Sequence, residues 1–295
     1  MDSITQATLG VAVGEVLLGR KIGNKAAILG AIIATIPDLD VALLPFYSNL
    51  EQISIHRGFS HSIVFSLIGA FLIAFILSKI KWTNSIKYFS LWLFSWLVLF
   101  THILLDAFTT YGTQLFLPFS NYRVSFDSIN IVDPIYTASL LIGILFSIWF
   151  FRKKPNRSIY TKIGLGFSTL YLLLTLWIKH SVNQKFDVQL KEKGIVYKTL
   201  LTVPVKSTSL NWYGAAKTDN SLYIGKFNYF QTAPITFTAF PINDHLLKNL
   251  NTELVSTLKW FSQGFYTVAK HNNKLRLYNM QCDMQGVRTF GNYKA

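Results

Sequence analysis

Three short polar clusters interrupt the apolar runs of the first half of the chain, and their residue types could bind a metal ion. They are Pro37-Asp38-Leu39-Asp40, His56-Arg57-Gly58-Phe59-Ser60-His61-Ser62 and His102-Ile103-Leu104-Leu105-Asp106. Carboxylate oxygens and imidazole nitrogens together favour Zn²⁺, Mn²⁺ or Fe²⁺ over Ca²⁺ or Mg²⁺. The predicted metal ligands, sufficient for one or two ions, are Asp38, Asp40, His56, His61, His102 and Asp106.

The spacing within the clusters favours one shared site. His102 and Asp106 are four residues apart, so both side chains project from one face of a helix. His56 and His61 bracket a glycine-containing turn. Ionisable residues are costly in a membrane segment, which makes each a functional hypothesis. Taken alone, Asp40 could simply cap a helix, but three separate apolar segments with Asp and His at one depth favour a metal site.

Two arginines near these clusters indicate the kind of substrate. Arg57 and Arg123 are the only cations in the outer loops of the apolar half. The guanidinium fork matches phosphate oxygens, so the pair favours a phosphate ester. The alternatives are a lipid-headgroup contact for Arg57 and a salt bridge from Arg123 to Asp127 or Asp133.

The composition indicates that membrane helices position these polar residues. Of 295 residues, 51% are hydrophobic and 14% are charged, with a mean hydropathy of +0.34, whereas soluble proteins are about 25% charged. Disorder, a collagen-like repeat and a disulfide scaffold are excluded, because the apolar content is high and there is one cysteine. The net charge of +14 would suggest nucleic acid in a soluble protein.

The apolar runs predict a helical membrane domain over residues 1–180. The predicted segments, each near the length that spans a bilayer, are Ala7–Gly19, Ala26–Leu44, Ile63–Ser78, Tyr88–Leu105, Ile135–Phe151 and Ile163–Ile178. The first is short and contains Glu15, so a re-entrant or fully buried helix is the alternative there.

Residues 181–295 differ in composition and predict a small α/β domain. Asp244–Phe261 carries leucines at helical spacing, which predicts an amphipathic helix capped by its first residue or the asparagine before it. Ser221–Tyr229 and Leu275–Asn279 alternate like strands, and Asn272-Asn273 suits a turn before the second.

The basic residues predict the orientation. Eleven of the fourteen in residues 1–180 fall on one side of the six-segment arrangement, and the positive-inside rule places that side in the cytoplasm. The three polar clusters and the C-terminal domain then face outward from a cytoplasmic (inner) membrane. Much of the net charge is thus an orientation signal, and nucleic acid is not an expected partner.

The ordered motifs resemble a known family, the YdjM-like membrane-bound metal-dependent hydrolases. The resemblance covers residues 1–150 and rests on the opening Met1–Gly10 stretch, the three clusters, Thr109-Thr110-Tyr111-Gly112, Pro118-Phe119-Ser120 and Asp133-Pro134. Family members usually carry His at Gln6 and Thr at Ser60, which implies one metal ligand fewer here. The resemblance also implies distant similarity to the all-helical zinc-dependent phospholipase C superfamily, and hence phosphodiester hydrolysis.

Together these observations predict an integral membrane metal-dependent hydrolase, acting on a phosphoester of a lipid or lipid-linked substrate at the outer leaflet. One or two ions, with Zn²⁺ preferred over Mn²⁺ or Fe²⁺, would activate water. The predicted catalytic groups are Asp38 or Asp40 as general base, with Arg57 and Arg123 stabilising phosphoryl charge. The alternatives are a metal or proton transporter that uses the same Asp/His set, and a non-catalytic scaffold in which a metal ties helices together.

Overall fold

The computed structural model divides the chain into two compact units. The first comprises Met1–Phe126 and Asn130–Leu174, and the second comprises Asp127–Ile129 and Thr175–Ala295. The residues that the structure describes are 1–205, 208–248, 250–271, 274–281 and 289–293.

The first unit is helical. Its α-helices are α1 (Ser3–Ile22), α2 (Lys25–Thr35), α3 (Asn49–Ile55), α4 (Ile63–Ser78), α5 (Tyr88–Ala107), α6 (Pro134–Leu145) and the first half of α7 (Ser158–Glu192). Two 3₁₀ helices, Pro37–Phe46 and Phe59–His61, precede α3 and α4, and a π-helical turn, Phe146–Phe150, continues α6. The polar clusters therefore lie where helices begin or end.

Within the described ranges, three helical stretches are long and apolar enough to cross a membrane: Lys25–Phe46, Tyr88–Ala107 and Ser158–Glu192. A fourth is added if Asn49–His61 and Ile63–Ser78, which are bent by 56°, form one broken span. The coarse prediction of a helical membrane region is confirmed, whereas six spans are not. Pro134–Phe150 is a shorter apolar helix, and α1 carries charged and hydroxyl side chains that lower its hydropathy.

Helix α1 is a buried packing helix that contacts α2, α5 and α6. Small residues let its backbone touch α2. A Cβ atom added at Gly30 would lie 2.0 Å from the carbonyl oxygen of Gly10, and one added at Gly14 would lie 2.3 Å from that of Ala26. This is the small-residue spacing typical of closely packed membrane helices. This contact holds α1 against α2. The two ends of α1 carry different polar residues.

The second unit combines antiparallel sheets with helices. Its strands are β1 (Thr199–Pro204), β2 (Asn211–Lys217), β3 (Ser221–Asn228), β4 (Phe237–Pro241), β5 (Tyr266–His271), β6 (Lys274–Asn279) and β7 (Thr289–Tyr293). The sheet orders are β1-β2-β3-β4 and β5-β6-β7, with antiparallel neighbours throughout. Val182 and Phe186 of α7 pack with Trp212, Phe227 and Ile235 in the core. The predicted sheet-containing C-terminal domain is therefore present.

Two strands and one helix of this unit were predicted, with different outcomes. The strands predicted at Ser221–Tyr229 and Leu275–Asn279 are confirmed as β3 and β6. The single helix predicted over Asp244–Phe261 is wrong, because a short 3₁₀ helix, Asp244–Leu247, is separate from α8 (Thr252–Phe261). The Asn251 side chain caps α8 by accepting hydrogen bonds from Glu253 N at 2.8 Å and Leu254 N at 3.3 Å. The turn predicted at Asn272-Asn273 lies outside the described residues.

Candidate metal centre

Four of the predicted ligands converge on one point in the helical unit. Asp38 lies in the first turn of the 3₁₀ helix that follows α2. His61 ends the short 3₁₀ helix before α4, and Ser62 then caps α4. His102 and Asp106 lie one turn apart near the end of α5. One ligand atom from each of Asp38, His61, His102 and Asp106 lies within 4.8 Å of the others.

The separations between these atoms match those around a tetrahedral metal. Nε2 of His61 lies 3.3 Å from Oδ2 of Asp106 and 3.4 Å from Oδ1 of Asp38. Nε2 of His102 lies 3.6 Å and 3.5 Å from the same two oxygens. Ligands bound at the usual zinc distances of about 2.0–2.2 Å are about 3.3–3.6 Å apart in a tetrahedral site. Four of the six separations between these ligand atoms are therefore those of a tetrahedral site for a single divalent ion.

The two carboxylate oxygens of Asp106 differ in their contacts: one has several polar partners, and the other has no hydrogen-bond partner among the described residues. Oδ1 accepts a hydrogen bond from Gln6 Nε2 at 2.9 Å, lies 3.3 Å from Arg57 Nη2 and contacts the α-amino group of Met1. Oδ2 is buried and has no hydrogen-bond partner among the described residues. Buried polar atoms are normally paired. The unpaired oxygen, aimed at two imidazoles, is the signature expected of a metal ligand.

The two histidines have the same property. Nδ1 of His61 lies 2.9 Å from Oγ of Ser60, which fixes the ring, whereas its Nε2 has no hydrogen-bond partner within the described chain. Both ring nitrogens of His102 are likewise buried and unpaired there. A neighbour on the second ring nitrogen orients a metal-binding imidazole. Ser60 supplies that neighbour for His61.

Asp40 and His56, the other two predicted ligands, lie beside this cluster but outside it. Oδ1 of Asp40 lies 3.3 Å from Nδ1 of His56, and its Oδ2 accepts hydrogen bonds from Arg57 N at 2.8 Å and Ser60 Oγ at 3.2 Å. Asp40 therefore holds the loop that carries His61. Nδ1 of His61 lies 3.6 Å from Oδ2 of Asp40. A ligand role for Asp40 and His56 stays a prediction.

The two predicted arginines meet at one aromatic ring. The guanidinium carbons of Arg57 and Arg123 lie 5.0 Å and 4.7 Å from the ring centroid of Tyr111, and the ring of His56 lies 5.1 Å from it. Arg57 also donates to Thr109 Oγ1 at 3.0 Å, and its buried Nε has no hydrogen-bond partner in the described part of the chain. Arg57 is therefore fixed beside Asp106 with one N–H group to spare.

Sequence reasoning gave no role to several residues that shape this site. Tyr111 accepts a hydrogen bond from Arg123 through its carbonyl oxygen, and Thr109 anchors Arg57. Their position directly after the His102–Asp106 pair was the available signal. Asp133, offered as a partner for Arg123, caps α6 by accepting from Ile135 N at 3.0 Å and Tyr136 N at 3.2 Å.

This fold and this site define a class: helical membrane proteins with a buried cluster of two carboxylates and two imidazoles. The model of the YdjM inner membrane protein family matches residues 1–182, and the chain belongs to that family. The match spans all four cluster residues and ends within α7.

Two curated relatives support the assignment. The uncharacterized protein YfhP of Bacillus subtilis (strain 168) is 28% identical over 235 residues, which cover 77% of this chain and 68% of the relative. The inner membrane protein YbcI of Escherichia coli (strain K12) is 28% identical over 157 residues, which cover 50% of this chain and 89% of the relative. No solved structure matches this chain, so similarity to phospholipase C is not confirmed.

Proposed function

We propose that this protein is a metal-dependent hydrolase of the inner membrane that cleaves a phosphoester of a lipid or lipid-linked substrate. The observation that carries the proposal is the set of buried, mutually facing and unpaired donor atoms on His61, His102 and Asp106, completed by Asp38. Two imidazoles and two carboxylates suit Zn²⁺ best, with Mn²⁺ or Fe²⁺ as alternatives. A second ion would require His56 and Asp40.

A bound divalent ion would supply a Lewis acid and lower the pKa of a water ligand to about 7. The chain's own contribution to phosphoester chemistry starts with Arg57. Its guanidinium is held by Asp106 and Thr109, so its unpaired Nε–H is preorganised for an anionic oxygen. Arg123, on the same tyrosine ring, adds a second positive charge.

Asp40 and His56 are placed to move a proton. The carboxylate of Asp40 is 4% exposed and lies against Nδ1 of His56, whose side chain is 27% exposed. A buried carboxylate that orients a partly exposed imidazole is a common general-base arrangement. Asp38, with a 24% exposed side chain, is the one cluster ligand that substrate can approach.

Exposed apolar side chains next to the cluster favour a lipid substrate. Leu39 separates the two aspartates and is 61% exposed, and Phe59 precedes the Ser60-His61 pair and is 50% exposed. In the loop that carries Tyr111 and Arg123, Phe119 is 86% exposed. Aromatic side chains at this kind of boundary sit at the headgroup level of a bilayer. A lipid could therefore place its phosphate at the arginines and its chains along these residues.

The basic residues favour an extracytoplasmic site, since Lys and Arg collect on the cytoplasmic side. The C-terminal domain would then lie outside the cytoplasm as well. A reporter active only in the periplasm, fused after Ala295, should be active in cells. Silence of this fusion, with activity of a cytoplasmic reporter at the same position, would reverse the orientation.

A metal-stabilised scaffold is the second candidate. Four protein ligands can complete a tetrahedral site, which is typical of structural zinc. The hydrolase interpretation is favoured by the unpaired Nε of Arg57 and by the partly exposed Asp38, neither of which a structural site needs.

Metal analysis of the purified protein separates the two. Wild type should hold at least about one ion per chain, and His61→Ala and His102→Ala should lose it, whereas the exposed His180→Ala should retain it. Arg57→Gln should keep its metal yet lose turnover of phospholipid or prenyl-phosphate substrates by about 10²-fold or more. Unchanged metal in both cluster variants would exclude the site, and metal-loaded protein without turnover on these substrates would favour the scaffold.

A further inference from the structure

A cavity of about 520 Å³ lies in the helical unit near the C-terminal end of α1. It is formed by that helix end and by the loop between the π-helical turn and α7. Its lining residues are Gly19, Arg20, Gly23, Arg152, Lys154, Pro155, Asn156 and Arg157. The volume lies in the range of small-ligand sites, about 300–1,000 Å³.

The charge of this cavity is strongly positive. Arg157 is buried and is neutralised by Glu15, with Nε–Oε1 and Nη2–Oε2 distances of 2.8 Å and 2.5 Å. The other three cations, Arg20, Arg152 and Lys154, form no ion pair with a carboxylate in the described part of the chain. The cavity therefore has three positive charges for which the described residues supply no carboxylate counterion.

Hydrogen bonds fix the wall of the cavity. Arg157 Nη1 donates to Asn24 Oδ1 at 3.0 Å and to the carbonyl oxygen of Arg152 at 3.3 Å. Arg20 Nη2 donates to Asn156 Oδ1 at 3.0 Å, which ties the loop to the end of α1. Arg20 thus retains most of its N–H groups for a ligand. Arg157 is thus fixed in the wall and Arg20 is tied to the loop, while the side chains of Arg20, Arg152 and Lys154 are exposed at the mouth of the cavity.

The cavity lies at the opposite end of α1 from the metal centre. Gln6 contacts the metal cluster and Arg20 lines the cavity, and fourteen residues of continuous helix separate them by about 21 Å. Trp149 and Phe150, which precede Arg152, are 75% and 68% exposed. Exposed tryptophan beside basic residues is typical of the headgroup layer, where basic pockets between helices bind anionic lipid headgroups.

We propose that this cavity binds a phosphate group, carried by an anionic phospholipid headgroup or by a free phosphate compound. Arg20, Arg152 and Lys154 contact the phosphate oxygens, and Arg157, held by Glu15, forms the floor. The site is separate from the metal centre and does not depend on its activity.

Two triple variants with the same loss of charge test the proposal on the full chain in an uncharged detergent. The cavity variant combines Arg20→Gln, Arg152→Gln and Lys154→Gln. The control combines Lys21→Gln, Lys153→Gln and Lys162→Gln, exposed cations of the same region that do not line the cavity. Binding of short-chain phosphatidylglycerol, the matching diacylglycerol and inorganic phosphate is measured by native mass spectrometry and calorimetry.

Wild type should bind phosphatidylglycerol saturably and the diacylglycerol far more weakly. The cavity variant should lose at least about tenfold in affinity, and the control should stay within about threefold. Saturable binding of inorganic phosphate would show that a free phosphate group is sufficient for binding. Binding of phosphatidylglycerol without binding of inorganic phosphate would show that the ligand is a phospholipid headgroup. Equal losses in both variants, equal binding of diacylglycerol, or no saturable binding by wild type would each overturn the proposal.

Discussion

Among the buried polar side chains of the helical unit, the Glu15–Arg157 pair and the candidate metal centre differ in how their hydrogen-bonding atoms are used. Both carboxylate oxygens of Glu15 accept from Arg157, and Arg157 is paired further with Asn24 and a backbone carbonyl. In the metal centre, by contrast, Nε2 of His61, Nε2 of His102 and Oδ2 of Asp106 face one another without hydrogen bonds in the described chain.

A buried charge in an apolar helix is therefore a weak indicator of function by itself. Glu15 lies deep in the apolar run Ala7–Gly19, yet its charge is neutralised by Arg157. This pairing disfavours a transporter that uses Glu15 as a relay. The candidate metal centre differs in that its donor atoms have no hydrogen-bond partner among the described residues.

The largest expected effect comes from breaking the paired group. Glu15→Ala leaves Arg157 buried without its counterion, which typically costs about 3–5 kcal/mol of stability. His102→Leu removes a ring that has no hydrogen bond in the described chain, so the metal-free protein should change by less than about 1 kcal/mol or become more stable. Thermal unfolding of both variants in detergent with a chelator measures the contrast.

A double variant provides the control for this contrast. Glu15→Leu combined with Arg157→Leu removes both charges, and it should recover much of the stability lost in Glu15→Ala, because replacing a buried pair by apolar groups is often neutral. If His102→Leu destabilised the metal-free protein as much as Glu15→Ala does, the imidazole would have a structural partner and the contrast would fail.

A smaller effect is expected at Gln6, a buried residue of α1 that contacts the cluster. Its amide donates to Oδ1 of Asp106 at 2.9 Å and to the carbonyl oxygen of His102 at 3.3 Å. Loss of such an orienting contact typically weakens metal binding by about 10–100-fold. Gln6→Ala should show this loss in a competition titration with a chromophoric chelator, whereas Gln6→His should bind at least as tightly as wild type. Unchanged affinity in Gln6→Ala would mean that the amide does not position Asp106.

Most of the metal cluster could be predicted from sequence, because His102 and Asp106 are one helical turn apart and the other clusters flank apolar runs. The distinction between Asp38 and Asp40 could not. The two lie in a 3₁₀ helix, which has three residues per turn, so residues two apart point in different directions. One aspartate therefore joins the cluster and the other accepts hydrogen bonds from the loop of His61. Which aspartate does which depends on how this segment packs against that loop, and hydropathy does not reveal it.

The fold was predictable where local signals are strong. The apolar run Ile63–Ser78 matches α4 at both ends, since Ser62 caps it. For α1 the sequence offered a fully buried helix as an alternative, but its packing partner was not predictable, because the contact between Gly10 and Gly30 joins positions that are distant along the chain. The start of α8 was missed for a related reason: Asn251 caps the helix, and the leucine spacing before it continues without interruption.

The smallest expected effect concerns Asp244 and Lys259, an exposed ion pair of the second unit. It serves as a comparison for the two buried clusters of the helical unit. Hydrogen bonds from Lys259, at 3.0 Å, and from Tyr266, at 2.5 Å, lower the pKa of Asp244 below its usual 3.8. Since the folded pKa is the lower one, the pair stabilises the protein above about pH 3.8 and loses its contribution as the pH falls through the folded pKa. Asp244 is 54% exposed, so screening limits the contribution to below about 1 kcal/mol.

Asp244→Asn should therefore raise the amide exchange rate of β5 slightly at neutral pH and leave it equal to wild type once both proteins are below the folded pKa. Hydrogen exchange of the full chain, compared between the two proteins at each pH, measures this. If Asp244→Asn lost as much stability as Glu15→Ala does, exposure would not weaken the Asp244–Lys259 pair. The contrast between buried and exposed charges would then need another cause. A small loss of stability that disappears in acid would instead indicate that burial makes the Glu15–Arg157 pair important for stability, and that pairing alone does not.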